Sequence, residues 1–321
     1  MSGNGSGNGD GIATVSPGLD RRGLLAAVIA FISWGLLPLY LKLLAGVPVF
    51  QVMSHRVIWA CVFVFAWLGI RGQLGAVGPA LKRPGTLAKL SVTAALISAN
   101  WVIYVWAVAS SHTVDASLGY FVNPLVSVLL GVFLLAEKLN RRQWFAVAVA
   151  GAGVLWLTVH LGRPPWVSLG LAISFGLYGF VRKTIVGVDS VTALFIETAL
   201  ILPFAGAWIG FEAFKGQGVF GNHGLTLDLL LVFSGLVTAV PLVLFAYGVQ
   251  RIPLSTVGLM QYLAPTLQLI TAVALFHEPF THVQLIGFAC IWAALVIYAA
   301  DGFLRGRAPK PAASVQAAEA T

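Results

Sequence analysis

Long uncharged runs of about twenty residues alternate along this chain with short segments that hold nearly all of its lysines and arginines. The runs lie near 23–41, 49–70, 90–111, 116–136 and 143–159, then near 164–181, 190–211, 229–250, 252–276 and 283–300. About 20 apolar residues in a helix cross the hydrocarbon core of a bilayer. The pattern therefore predicts an all-α polytopic membrane protein with ten spanning helices. Two runs are interrupted by charge, the second by His55 and Arg56 and the seventh by Glu197. Linkers as short as Gly46-Val47-Pro48 and Arg251-Ile252-Pro253 require neighbouring helices to pack antiparallel.

The loop charges orient the chain. With the N-terminus in the cytoplasm, the inner segments hold Arg21, Arg22, Arg71, Lys82, Arg83, Lys89, Lys138, Arg141, Arg142, Arg182, Lys183, Arg251, Arg305, Arg307 and Lys310. The outer segments hold Lys42, Arg163 and Lys215. Fifteen against three is a positive-inside bias, and it places both termini on the cytoplasmic side of the cell membrane. Residues 1–20, rich in Gly, Asn and Ser, read as a disordered tail without the apolar region of a signal peptide. Residues 305–321, rich in Ala and Pro, read the same way.

Composition agrees. Hydrophobic residues make up 59% of the 321 and charged residues 9%, against roughly 25% charged in a soluble domain. The mean hydropathy is +0.91. The 35 glycines suit helices that approach closely in lipid. A net charge of +8 would suggest nucleic acid in a soluble protein, but here the basic residues sit in loops facing anionic lipid. The bilayer is the expected partner and nucleic acid is not. Cys61 and Cys290 fall inside apolar runs and read as packing residues.

The chain repeats itself. Arg56 and Glu197 are 141 residues apart, and the same offset carries Pro124 onto Pro265, Glu137 onto Glu278 and Gln143 onto Gln284. Trp34-Gly35 resembles Tyr178-Gly179 at an offset of 144. The expected organisation is a first five-helix half over 21–162 and a second over 163–304, between the two tails. Five spans per half is odd, so the halves insert in opposite senses. Inverted repeats with a binding site between them are a common plan of secondary transporters.

Candidate chemistry follows from polar residues inside the runs. An intramembrane charge is expensive and marks function by default. Arg56 either snorkels to a headgroup or faces inward, holding a substrate carboxylate or pairing with Glu197. His55 precedes it. Glu197, unpaired, suits proton carriage; paired with Arg56, it becomes a structural lock. Asn100 and Trp101 in the third run suit a pocket or interhelical packing equally. Tyr120 and Asn123 precede Pro124, and Gln261 and Tyr262 precede Pro265. A proline in mid-helix frees a carbonyl and kinks the helix, and polar side chains beside it can line a cavity. Asp115 reads as the cap of the fourth helix, and Glu137 and Glu278 as caps of the helices that follow them. The remaining histidines lie near loops without ligand spacing, so no metal is expected. Neither a P-loop nor a nucleophile–base spacing is present, and no cofactor is expected.

Several strings resemble the RarD branch of the EamA, or drug/metabolite transporter, superfamily. They are Ser54-His55-Arg56-Val57-Ile58-Trp59, Asn100-Trp101, the run from Ala116 to Leu125, Tyr178-Gly179-Phe180-Val181-Arg182-Lys183, Ile196-Glu197-Thr198, and Gln261-Tyr262 with Pro265-Thr266. The resemblance covers about residues 20–300. It implies a ten-helix inner-membrane permease of two EamA-type repeats, in a family whose members carry the label "chloramphenicol-sensitive protein" and whose substrates are poorly defined.

The expected function is alternating-access transport of a small metabolite or drug-like molecule. Export is the expected direction, with protons as the candidate coupling ion. A lipid scramblase or membrane-embedded enzyme using the same cavity is the alternative, and a non-transporting receptor a third. Neither the substrate nor the oligomeric state follows from the sequence.

Overall fold

Three helices begin where a short polar side chain satisfies free N–H groups of the first turn. Asp20 accepts from Arg22 N at 2.9 Å and opens α1 (Arg21–Lys42). Asn140 and Gln143 form a reciprocal capping box at the start of α6 (Arg141–Leu161). Asp189 accepts from Val191 N and Thr192 N to open α8 (Ser190–Phe214). The other helices are α2 (Val49–Ile70), the short α3 (Val77–Lys82), α4 (Thr86–Ala109), α5 (Thr113–Leu135), α7 (Trp166–Lys183) and α9 (Leu225–Val249). They are followed by α10 (Leu263–Ile270), which runs into a π turn over Thr271–Leu275, and by α11 (His282–Gly306). The structure is a computed structural model that describes residues 20–135, 139–249, 251–252 and 260–306. Glu137 and most of the two expected tails lie outside the described residues.

Among the described residues there is no strand. Among those residues seven helices, α1, α2, α4, α5, α6, α8 and α9, are long and apolar enough to cross a membrane, and α7, α10 with its π turn, and α11 are shorter apolar helices. Burial is inverted relative to a water-soluble bundle. Phe133, Phe204 and Val296 are 74%, 73% and 68% exposed on the outside, while Arg56, Asn100 and Glu197 are 5%, 1% and 1% exposed within. Large apolar side chains turned outward around polar groups turned inward are the arrangement a lipid solvent demands. The chain is a multi-pass membrane protein.

Two ends can be told apart by their cross-contacts. At the basic end, Arg83 Nη1 donates to Val186 O at 2.8 Å and Lys89 Nζ to Thr184 O at 3.0 Å, joining the 71–85 connection and the first turn of α4 to the α7–α8 connection. Arg251 lies 3.8 Å from Asp20 at the same end. At the opposite end, the Gln51 amide donates to Gln217 O at 2.8 Å and accepts from Val219 N at 2.9 Å, tying α2 to the α8–α9 connection.

Pairs of helices recur when the halves are exchanged. α1 packs on α9 as α7 packs on α4, and α1 on α10 as α7 on α5; α2·α8, α5·α10 and α6·α11 map onto themselves. Several of these contacts need glycine. A Cβ on Gly35 would lie 2.7 Å from Leu267 Cβ, and one on Gly153 of α6 would lie 2.7 Å from Cys290 Cβ of α11. Small residues let apolar helices pack closely where no hydrophobic effect drives them together.

Three expectations are corrected. The ninth run is broken at the Gln261–Tyr262 turn, so Pro265 stands in the first turn of α10 and does not kink a helix interior. A first-turn N–H has no intrahelical partner to lose, which is why proline is tolerated there. Asp115 is not the cap of α5, and Glu278 does not serve the helix that follows it. Glu278 reaches across the molecule instead, and its Oε2 accepts from Val114 N at 2.9 Å at the start of α5.

Candidate functional site

A cavity of about 360 Å³ lies at the centre of the bundle, with walls from α1, α2, α4, α5, α7, α8, α9 and α10. Toward the basic end its lining reaches Arg182, Ser190 and Val191, beside the α7–α8 connection. Toward the opposite end it is closed by a buried apolar cluster that includes Leu41, Leu44, Val52, Met53, Val108 and Leu231. The walls are strongly aromatic. Trp34 packs edge-on against Phe31 at 5.5 Å and tilted against Phe245 at 5.4 Å. Tyr120 packs edge-on against Tyr104 at 5.7 Å and against Phe175 at 6.3 Å.

Arg56 is the cation at the centre. Its Nε donates to Thr238 Oγ1 at 2.6 Å, and its guanidinium lies 5.0 Å from the centre of the Trp101 ring, a cation–π distance. Its Nη1 is buried without a hydrogen-bond partner. Such burial rules out snorkelling.

Glu197 does not pair with Arg56. Its Oε1 lies 3.7 Å from Arg182 Nε and accepts from Thr93 Oγ1 at 2.7 Å, while Oε2 accepts from Tyr178 OH at 3.4 Å. Of the alternatives left open for these two charges, the Arg56–Glu197 lock is thus replaced by an Arg182–Glu197 pair. The two charges share the sequence offset of 141, but the nearest opposite charge on a neighbouring helix decides the partner. Arg182 and Tyr178 line the cavity, and Glu197 stands behind them.

Of the other residues singled out by sequence, Asn100, Trp101, Tyr120, Asn123, Gln261 and Pro265 line the cavity. Asn100 is engaged on both sides. Its Nδ2 donates to Leu171 O and Ser174 Oγ at 3.0 Å each, and its Oδ1 accepts from Tyr120 OH at 3.3 Å. It fastens α4 to α5 and α7. His55, Tyr262 and Pro124 lie outside the lining. His55 stacks on Phe220 of the α8–α9 connection at 5.1 Å, and Tyr262 stacks on Phe121 at 6.3 Å.

Trp34, Tyr104, Phe175, Thr238, Phe245 and Gln268 also line the site and had not been singled out as site residues. The repeat offered one clue, because Trp34 and Tyr178, related by the offset of 144, both reach the cavity. Gln268 is explained locally. Pro38 deprives the Trp34 carbonyl of its helical donor, and Gln268 Nε2 supplies one at 3.0 Å. Its own Oε1, like Asn123 Oδ1, is buried without a partner.

A bundle apolar outside and charged inside, with a solute-sized cavity at its centre, is the architecture of a multi-pass membrane transporter. The model of the EamA-like transporter family matches this chain twice, over residues 21–159 and 165–300, and the chain belongs to that family, in its RarD branch. It is 43% identical to "Protein RarD" of Streptomyces exfoliatus, over 89% of this chain and 91% of that one. It is also 43% identical to "Uncharacterized transporter YojE" of Bacillus subtilis, over 87% and 93%. Identity to "Chloramphenicol-sensitive protein RarD" of Pseudomonas aeruginosa is 33%, over 87% and 94%. A crystal structure only 18% identical aligns over 86% of this chain and 96% of its own with a TM-score of 0.57, a likeness of fold alone.

Proposed function

We propose that this chain is a secondary transporter of the cytoplasmic membrane that carries a small molecule through the central cavity by alternating access. In this reading ten helices span the membrane as two oppositely inserted halves, over 21–162 and 163–304, and both termini are cytoplasmic. The observation that carries it is the cavity itself, which draws its walls from both halves, holds a buried cation and reaches one end of the bundle only. The exchange of helix pairings between halves and the twofold match to one family model support the inverted repeat. With the basic end cytoplasmic, the cavity faces inward, ready to load a solute for export. Glu197, next to Arg182 at the mouth, is the candidate proton carrier.

Purified protein in proteoliposomes tests this. A panel of labelled metabolites, with and without a pH gradient, is expected to include at least one that undergoes saturable counterflow. Filling the cavity with Leu242→Trp is expected to abolish it. Counterflow absent for every solute, with rapid movement of fluorescent lipid between leaflets instead, would overturn the transporter reading in favour of a scramblase.

A further inference from the structure

Arg56 poses a problem of charge. A buried guanidinium normally has a carboxylate beside it, because an unpaired charge taken out of water is strongly unfavourable. The carboxylate of Glu197 is committed to Arg182, and among the described residues no Asp or Glu lines the cavity. Thr238 Oγ1 and the face of Trp101 offset part of the cost, and Nη1 is left with its N–H groups unused. The site is therefore short of one anion.

Its walls describe the rest of the ligand. The aromatic groups around Trp34 and around Tyr120 both face the cavity, and they suit a flat apolar body. Two buried acceptors, Asn123 Oδ1 and Gln268 Oε1, also face it unpartnered. They are neutral, so they call for a hydroxyl or amino donor and not for a second full charge. A volume of about 360 Å³ stands at the small end of ligand sites, which run from about 300 to 1,000 Å³. That suits one ring with a short side chain.

From these features we propose that the cavity binds a small aromatic carboxylate bearing a hydroxyl or amino donor, with its carboxylate on Arg56. The inference rests on the transport reading only for its biological use, since the binding chemistry stands by itself. Arg56 selects: a cation is repelled, a neutral amide of the same shape can accept from Nη1 but leaves the buried charge uncompensated, and an anion completes it.

The test is binding to the purified full chain, read by quenching of tryptophan fluorescence, with 4-hydroxyphenylacetate, its neutral amide and the cation tyramine as probes. The acid is expected to bind at least about tenfold more tightly than the amide, the worth of a charge-assisted hydrogen bond, and tyramine more weakly than either. Arg56→Gln should abolish the preference of acid over amide without weakening the amide, and Arg56→Lys should keep part of it. Inorganic phosphate is expected not to compete, because it lacks the aromatic body. Equal binding of acid and amide by the unmodified protein, failure of the acid to bind, or a preference that survives Arg56→Gln would overturn the proposal. The first two need no variant to fold. Acid binding that depends on Arg56 without counterflow in proteoliposomes would support this inference while removing the transport reading.

Discussion

Removing the Arg182 side chain isolates the Glu197 carboxylate in the membrane interior. The two side chains are 17% and 1% exposed and stand 3.7 Å apart. At an effective dielectric constant of about 20, that separation corresponds to an attraction of about 4–5 kcal/mol. Mutational experience with buried pairs points the same way, at about 3–5 kcal/mol when one partner is lost. The losses should be unequal. Arg182→Ala leaves a carboxylate with no access to water, held only by Thr93 and Tyr178. Glu197→Gln keeps one oxygen to accept from Thr93 and turns the other contact round, with its amide N–H donating to Tyr178 OH, and leaves Arg182 free to reach the basic end. Arg182→Ala is thus expected to cost about 3–5 kcal/mol and Glu197→Gln about 1–2 kcal/mol, the range of a weakened hydrogen bond. Arg182→Ala/Glu197→Gln should be no worse than Glu197→Gln alone. Unfolding of the purified protein in mixed micelles, followed by circular dichroism across a denaturing-detergent titration, measures all three. The exchange Arg182→Glu/Glu197→Arg should recover part of the loss, and Arg56→Glu/Glu197→Arg none. Recovery by the second exchange and not the first would refute the pairing.

Three further outcomes are expected. Gly287 packs so closely on Leu157 that a Cβ there would lie 2.7 Å from both of its Cδ atoms, so Gly287→Leu should part α6 from α11 and lower the yield of monodisperse protein in size-exclusion chromatography, while Gly206→Ala, where the space is open, should not. Glu278→Ala should destabilise the start of α5 by about 1–2 kcal/mol, the range of a lost helix cap, with faster hydrogen exchange at Val114 as the readout and Glu278→Gln intermediate. A single cysteine at Gly78 in the 71–85 connection, placed in a chain lacking Cys61 and Cys290, should react with a membrane-impermeant maleimide only in inside-out vesicles; reaction in right-side-out vesicles would reverse the proposed topology.

Membrane insertion made most of the helices legible. Lipid requires about twenty apolar residues in a row, and that demand is written locally. Arg56 and Glu197 stood out for the complementary reason, as charges inside such runs. Their partners could not be read. Arg182 looked like one more loop cation, because its place in the cavity wall depends on where α7 ends relative to α8, a tertiary fact. Asn100 left packing and pocket equally open, and only the arrangement of Leu171, Ser174 and Tyr120 around it shows how it is fastened. The ninth run read as continuous because hydropathy does not register a turn at Gln261–Tyr262. The aromatic walls were hidden for a similar reason: a Trp or Phe in an apolar run has no local mark that tells lipid-facing from cavity-facing.

The Gln51 amide has a kinetic meaning. With its bonds to Gln217 O, Val219 N and, at 3.3 Å, Glu212 Oε2, it makes three hydrogen bonds that opening at that end, in the proposed alternating-access cycle, would break. At about 1 kcal/mol net for each, these bonds alone would disfavour the conformer open there by about 3 kcal/mol, a population on the order of 1%. A solute arriving from that face would then meet a receptive carrier only in that fraction of encounters, which would raise its half-saturating concentration about a hundredfold. A solute arriving from the basic end meets a receptive one almost always. The two faces of a passive carrier can thus differ in half-saturation while the ratio of maximal rate to half-saturation stays equal on both, so one side-chain amide would make the molecule saturate early from one compartment and late from the other, with equal flux from both at low concentration.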